Sequence, residues 1–199
     1  MNKIISLVYV KRKSYIEDVW LKSLVTSLDQ RFELIVVGHT YEPTTDFTYI
    51  PFWENGLDEK GLICHKKNLG VKASATDYCL VIHADVSPDR EFIDKALLYL
   101  PKEDEFVCPL GFWNGDQRAL TWCQDKEPRN ADPERPDDPE MYISGAAIFA
   151  KKETFLKVPW NESLSHGRCE DVELSRRARE AGIRQYCNKH LKVKMERSQ

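Results

Sequence analysis

The sequence predicts an α/β fold built on a largely parallel sheet, and three observations carry that reading. Residues 3–10, Lys-Ile-Ile-Ser-Leu-Val-Tyr-Val, form an apolar run of strand length. An amphipathic stretch and a second apolar run, Phe32-Glu33-Leu34-Ile35-Val36-Val37, follow it. Strand, amphipathic helix and strand open a βαβ unit, whose parallel strands need a crossover. The third observation is Asp77-Tyr78-Cys79-Leu80-Val81-Ile82-His83-Ala84-Asp85-Val86, a near-continuous apolar strand that ends in polar groups. Such continuous runs belong to strands buried on both faces.

Taken in order, Ser14 and Glu17 form a capping box for a helix to about Leu28, with Val19, Trp20, Leu24 and Leu28 on one face. Thr48 to Phe52 is a short strand, placed at an edge because Pro51 cannot donate to a ladder. A helix over 61–75 contains Lys66-Lys67-Asn68-Leu69-Gly70. Ser87-Pro88-Asp89 turns the chain into a helix through about Leu100, and 105–110 is a further strand. From Gly115 to Glu140, Pro128, Pro133, Pro136 and Pro139 punctuate an acidic stretch, which reads as a mobile surface loop, either merely solvated or gating a substrate. Residues 141–150 form one strand with a small-residue centre, Lys152 to Leu156 a helical turn, and 171–181 a helix stopped by Gly182 at C′. One or two short Lys- and Arg-rich strands complete the tail.

Composition narrows the function. The chain has 199 residues, 42% hydrophobic and 31% charged, which suits one globular domain. A net charge of −3 supplies no global field for nucleic acid. No apolar run approaches the ~20 residues of a membrane span, and the N-terminus lacks signal-peptide character, so a soluble, cytoplasmic chain is expected. The six cysteines contain no CxxC pair, which argues against a zinc ribbon. Cys79 and Cys108 read as small core hydrophobes.

Three constellations can carry chemistry. His83 and Asp85 lie two apart at a strand end and so share a side. Carboxylates suit Mg²⁺ and Mn²⁺, and an imidazole favours a transition metal. Alone, the tripeptide fits equally a helix-capping Asp85 beside a surface histidine. Glu170-Asp171 at a helix start is either a capping pair or contains a general base. Lys66-Lys67-Asn68-x-Gly70 is either a solvated helix face or a contact for phosphate or a nucleobase.

The order of Lys67-Asn68-x-Gly70, the 77–86 strand, Ser144-Gly145-Ala146, Trp160-Asn161-Glu162 and Glu170-Asp171-Val172-Glu173-Leu174-Ser175-Arg176-Arg177 resembles the GT-A glycosyltransferases, most closely the inverting family 2 group. The resemblance covers residues 3 to about 190. It implies a single GT-A (Rossmann-like) α/β domain over 1–199, with a nucleotide-binding half at 1–100 and an acceptor-side half at 101–199. A nucleotide-sugar donor, UDP-linked by default, and a glycan or other hydroxyl-bearing acceptor are implied, as is a hexosyltransferase activity. Asp85 matches the second acid of the family's Asp-x-Asp, the metal-binding one, and His83 replaces the first, which favours Mn²⁺ over Mg²⁺. Asp171 matches the catalytic base, with Glu170 beside it. Val8, Tyr9, Val10, Lys67, Asn68, Ala84 and Gly145 are implied on the donor side. His39 stands where the family often has an acid near the base or ribose. His190 is the late histidine candidate for the metal, although Met195 lies nearer the expected position. Acceptor choice is expected in the 115–140 segment and the Trp160 loop. Alternatives are a degenerate GT-A module that binds without turnover, or a sugar-1-phosphate nucleotidyltransferase. Against the latter, Lys11-Arg12-Lys13 lacks that class's glycines.

Overall fold

The computed structural model describes residues 2–11, 21, 24–26, 28–38, 47–52, 62–88, 90–113, 116–119, 121–123, 129–130, 141–164 and 169–195, with backbone alone at 90, 112–113, 116–119, 121–123, 129–130 and 141. The helix expected over 14–28 lies mostly outside these residues, as does His39. Its described end is helical at 24–26, with Leu28 N–H donating to the Leu24 carbonyl at 2.9 Å.

The elements are β1 (Ile5–Val10), β2 (Phe32–Gly38), β3 (Thr48–Pro51), α1 (Ile63–Ala73), β4 (Tyr78–His83), β5 (Val86–Pro88) and α2 (Arg90–Ala96). There follow β6 (Glu105–Trp113), β7 (Asp116–Ala119), β8 (Thr121–Cys123), β9 (Arg129–Asn130), β10 (Met141–Ile143), β11 (Ala147–Lys151), α3 (Lys152–Lys157), α4 (Glu170–Glu180) and β12 (Arg184–Met195). One sheet runs β3-β2-β1-β4-β11-β6-β12-β5, with β7 paired to β6, and β10-β8-β9 form a small second sheet. Strands from both halves of the chain therefore share one sheet.

The fold class is as expected, with two differences in detail. The parallel block is β3, β2, β1 and β4, and β6 is parallel to β12, but β11 runs antiparallel to β4 and β6 and β5 antiparallel to β12. The expected loop at 115–140 contains β7, β8 and β9. Backbone pairing with β6 and β10 orders those short pieces where side-chain periodicity gives no signal. Residues 141–150 are likewise two strands, broken at the small residues Ser144, Gly145 and Ala146.

Every residue of β1 is buried, as are Leu34 to Val37 of β2 and Cys79 to Ile82 of β4, so both faces of these strands are covered. Pro51 sits on the edge strand, as its missing N–H requires. Gly182 ends α4 with φ +75°: its N–H donates to the Arg179 carbonyl and Ile183 N–H to that of Ala178, a Schellman arrangement that only a residue tolerant of that φ closes cheaply. Among the described residues no helix is long and apolar enough to cross a membrane.

Gly70 sets how closely α1 approaches the sheet. A Cβ there would lie 2.1 Å from Val8 Cγ1 and 3.2 Å from Val37 Cγ2. In an open helix Gly→Ala stabilises by ~0.5–1 kcal/mol, but here the methyl meets branched core side chains that are themselves fully packed. Overpacking of that kind costs about 1–3 kcal/mol and wins. Gly70→Ala is therefore expected to lower the urea midpoint, and an unchanged or raised midpoint would contradict this packing.

Candidate active site

Two clusters meet at the carboxyl end of the parallel strands, where open α/β sheets bind ligands. The first is the turn His83-Ala84-Asp85. His83 pairs in register with Val10, so β4 and β1 end together. Ala84 N–H donates to the Val10 carbonyl at 3.1 Å, and the buried Tyr9 hydroxyl donates to the Ala84 carbonyl at 3.2 Å. On the other flank His83 N–H donates to the Ala146 carbonyl at 2.9 Å. Backbone on both sides thus fixes the turn.

His83 Nδ1 lies 4.0 Å from Asp85 Oδ1, so the pair converges on one side of the strand end. Asp85 Oδ1 is buried and accepts no hydrogen bond among the described residues. Leaving an anionic oxygen so placed is costly unless a cation or donor meets it. The donor set, one carboxylate and one imidazole, fits Mn²⁺ chemically, and nucleotide-linked divalent ions often take only one or two protein ligands, with phosphate oxygens supplying others. Among the described residues no group of three or more His, Cys, Asp or Glu is placed to hold a metal.

His190 does not join this pair. It is exposed in the irregular stretch of β12, where the register shifts between Asn188 and Lys192. Its ring stacks on Tyr99 at 5.1 Å, and its N–H bonds Asn188 Oδ1. Met195 is the β12 residue paired with Val86, next to Asp85. A late ligand from β12 would have to come from that position, and Met offers only a weak thioether acceptor.

The second cluster gathers Lys67, Gly145 and Asp171. The α4 helix begins at Glu170 with Cys169 as N-cap at φ +60° and without a cap bond from its side chain, so Asp171 does not occupy the N-cap position. Glu170 is buried, whereas the Asp171 side chain keeps 23% of its surface open. Lys67 Nζ, fully buried, lies 4.0 Å from Asp171 Oδ1 and 5.1 Å from the centroid of the Trp160 ring. A Cβ on Gly145 would fall 2.2 Å from Asp171 Oδ1 and 2.5 Å from Lys67 Nζ. Glycine at 145 is what lets the two charges meet across the backbone. Tyr142 is close enough that the Asp171 charge adds to burial in raising its phenol pKa. The Lys66-Lys67 pair is thus no solvated face: Gly70 draws it inward, and both side chains are buried.

Asn68 takes a different role from the donor contact the resemblance implies. Its Oδ1 accepts Trp160 N–H at 3.0 Å, and its Nδ2 donates to the Trp160 carbonyl at 2.9 Å and to Glu162 Oε1 at 2.8 Å. The amide is occupied in clamping the 160–162 loop to α1. Trp160 itself is 2% exposed and stacks on Phe155 at 5.1 Å, which makes it core and not an acceptor platform. Val8 and Val10 are also core side chains, with Val8 packed toward Gly70. At the end of β1 the backbone and the Tyr9 hydroxyl, turned inward to Ala84, do the positioning. His166 and His39 lie outside the described residues.

Sequence reasoning passed over His65 and Tyr142. His65 Nδ1 meets Glu162 Oε2 at 2.6 Å, and its ring stacks obliquely on Phe52 at 5.4 Å. The Asn68 amide, and after it His65, hold the Glu162 carboxyl below its usual 4.5. A depressed folded-state pKa stabilises above the unfolded value and ceases to do so as pH falls through the folded one. The loop clamp is therefore expected to weaken from about pH 4.5 downward. Glu162→Gln should flatten that part of the melting temperature–pH curve, and an identical acid slope in the variant would remove the assignment.

The mixed sheet flanked by helices matches the GT-A glycosyltransferase fold. No protein-family model matches the sequence, and no curated protein does. Solved structures do. GalNAc-T7 with UDP, GalNAc and Mn²⁺ superposes at TM-score 0.68 and 11% identity, over 98% of this chain and 44% of that one. TarS 1–349 from S. aureus gives 0.63 and 13%, over 96% and 60%. The mannosyltransferase PcManGT from Pyrobaculum calidifontis, with GDP-Man and Mn²⁺, gives 0.63 and 12%, over 98% and 57%. The chain thus spans about half the length of these neighbours, and at this identity the likeness establishes the fold.

Proposed function

We propose that the chain is a metal-dependent, inverting glycosyltransferase that moves a sugar from a nucleoside-diphosphate donor, UDP-linked by default, to a hydroxyl acceptor. The observation that carries this is the short link between the two clusters. The Ala146 carbonyl holds His83, and the neighbouring Gly145 is where Lys67 and Asp171 meet. A carboxylate able to accept a proton and a turn suited to a divalent ion therefore share one sheet edge, about one residue of backbone apart.

Asp85, with His83, would hold the ion, and its chemistry there is to neutralise charge growing on the departing diphosphate. Asp171 takes the proton of the acceptor hydroxyl as its oxygen bonds to the anomeric carbon from the face opposite the diphosphate. The anomeric C–O bond breaks, and the nucleoside diphosphate leaves with the electron pair. The imidazole of His83 favours Mn²⁺, and two of the fold's neighbours carry Mn²⁺ with UDP or GDP-Man. A binding module without turnover is the second reading, favoured by the absence of a third ligand beside His83 and Asp85 among the described residues.

The test is release of nucleoside diphosphate from a panel of UDP- and GDP-sugars with Mn²⁺, with and without simple glycan acceptors. The proposal predicts release from at least one donor, dependent on Mn²⁺ and reduced about 10²-fold or more in Asp85→Ala. Metal-dependent nucleotide binding with no turnover across the panel would instead support the binding module.

A further inference from the structure

Lys67 is set differently from an ordinary phosphate-binding lysine. Its side chain is fully buried, its ammonium makes no hydrogen bond among the described residues, and it lies 4.0 Å from the Asp171 carboxylate and over the face of Trp160. The Glu170 and Glu173 carboxylates share the first turn of α4 with Asp171, and the Tyr142 phenol and Cys64 thiol lie near enough that its charge adds to burial in raising their pKa values. Glu173 is answered on its own helix by Arg177, at 2.6 and 2.8 Å. Lys67 instead reaches Asp171 from α1, across the gap left by the missing Gly145 side chain.

We propose that Lys67 is a positioning residue for the base, its ammonium holding the Asp171 carboxylate at the sheet edge in the orientation that receives the acceptor's proton. Lys67 acts through Asp171 and does not contact the donor. The catalytic half of this inference rests on the glycosyltransferase reading, whereas the ion pair does not. A charge pair between neighbouring elements couples their energetics, and loss of a group that acts only on the reacting step lowers kcat without raising KM.

Two measurements test it together. The first is a double-mutant cycle in urea unfolding with Lys67→Met, Asp171→Asn and both. The expected result is a coupling of about tenfold or more in the unfolding constant, and additive effects overturn the pair whether or not the chain transfers sugar. The second is donor hydrolysis by Gly145→Ala, Lys67→Met and Lys67→Arg. Gly145→Ala keeps both ions but drives them apart, since its Cβ meets only the flexible ends of the two side chains. It is expected to lower kcat about 10- to 100-fold with donor KM within about threefold, as is Lys67→Met, while Lys67→Arg recovers most of the rate. A raised KM with kcat kept would make Lys67 a donor contact and overturn the proposal. A wild-type chain that turns over no donor while the cycle shows coupling sinks the transferase reading, and the catalytic half with it, but not the ion pair.

Discussion

Asp171→Asn is expected to lower the rate of sugar transfer by about 10²–10⁴-fold, the range for loss of a general base, while donor affinity stays nearly unchanged. The substitution keeps the side chain's shape at the second position of α4 and removes only its ability to take up a proton. The turn at 83–85 is a separate structure, fixed by backbone bonds to Val10 and Ala146 and by the Tyr9 hydroxyl, none of which involves Asp171. A stability loss accompanies the change, because the buried Lys67 ammonium loses its counter-charge. Rates are therefore compared below the onset of unfolding of the variant. If Asp171→Asn turns over donor at the wild-type rate, the proton goes elsewhere and Asp171 is not the base.

Trp160→Ala is expected to give the largest stability loss, about 3–5 kcal/mol, as for other aromatic truncations in a packed core. The indole is sealed against Phe155, carries Lys67 over its face, and its backbone is gripped on both sides by Asn68. Removal opens a cavity under the Lys67–Asp171 pair and takes away a cation–π contact of about 0.5–2 kcal/mol. Against a total stability of about 5–15 kcal/mol, the variant should melt well below the wild type. Trp160→Phe, which keeps the stack and removes a buried indole N–H that makes no hydrogen bond, should lose much less. A loss under about 1 kcal/mol for Trp160→Ala, measured by urea unfolding, would contradict this packing.

The sequence was most informative where a single local rule decides structure. The apolar runs of β1, β2 and β4 are buried on both faces and read directly as strands, and Gly182 announces the end of α4 through the φ it must adopt. It was least informative where a distant partner decides. Ser87 and Pro88 read as the start of a turn, yet pairing of Val86 to Pro88 with Val193 to Met195, more than a hundred residues later, makes β5. The same holds for β7 and β8, which lie in a polar, proline-punctuated segment and acquire strand geometry from β6 and β10.

Within the site the pattern repeats at the level of side chains. Lys67, Gly145 and Asp171 come together as the motif order suggests, and His83 and Asp85 converge as strand alternation requires. Asn68 was legible as a motif residue but not in its role, because an amide that clamps a loop and one that binds a phosphate look alike in sequence. Trp160 reads as part of a loop beside polar Asn161 and Glu162, and its burial comes from distant partners, Phe155 and α1. His190 was chosen by residue type, whereas the register of β12 brings Met195 toward the turn.

Manganese binding read by electron paramagnetic resonance tests the central claim most directly. Free Mn²⁺ is titrated with the protein in the presence of UDP, and separately of GDP, and the loss of its solution signal reports the ternary complex. The account predicts a nucleotide-dependent loss of signal with the wild-type chain that is abolished in Asp85→Ala. Equal Mn²⁺ binding by the two proteins, or none by the wild type with either nucleotide, would contradict a donor-diphosphate metal site at His83-Ala84-Asp85.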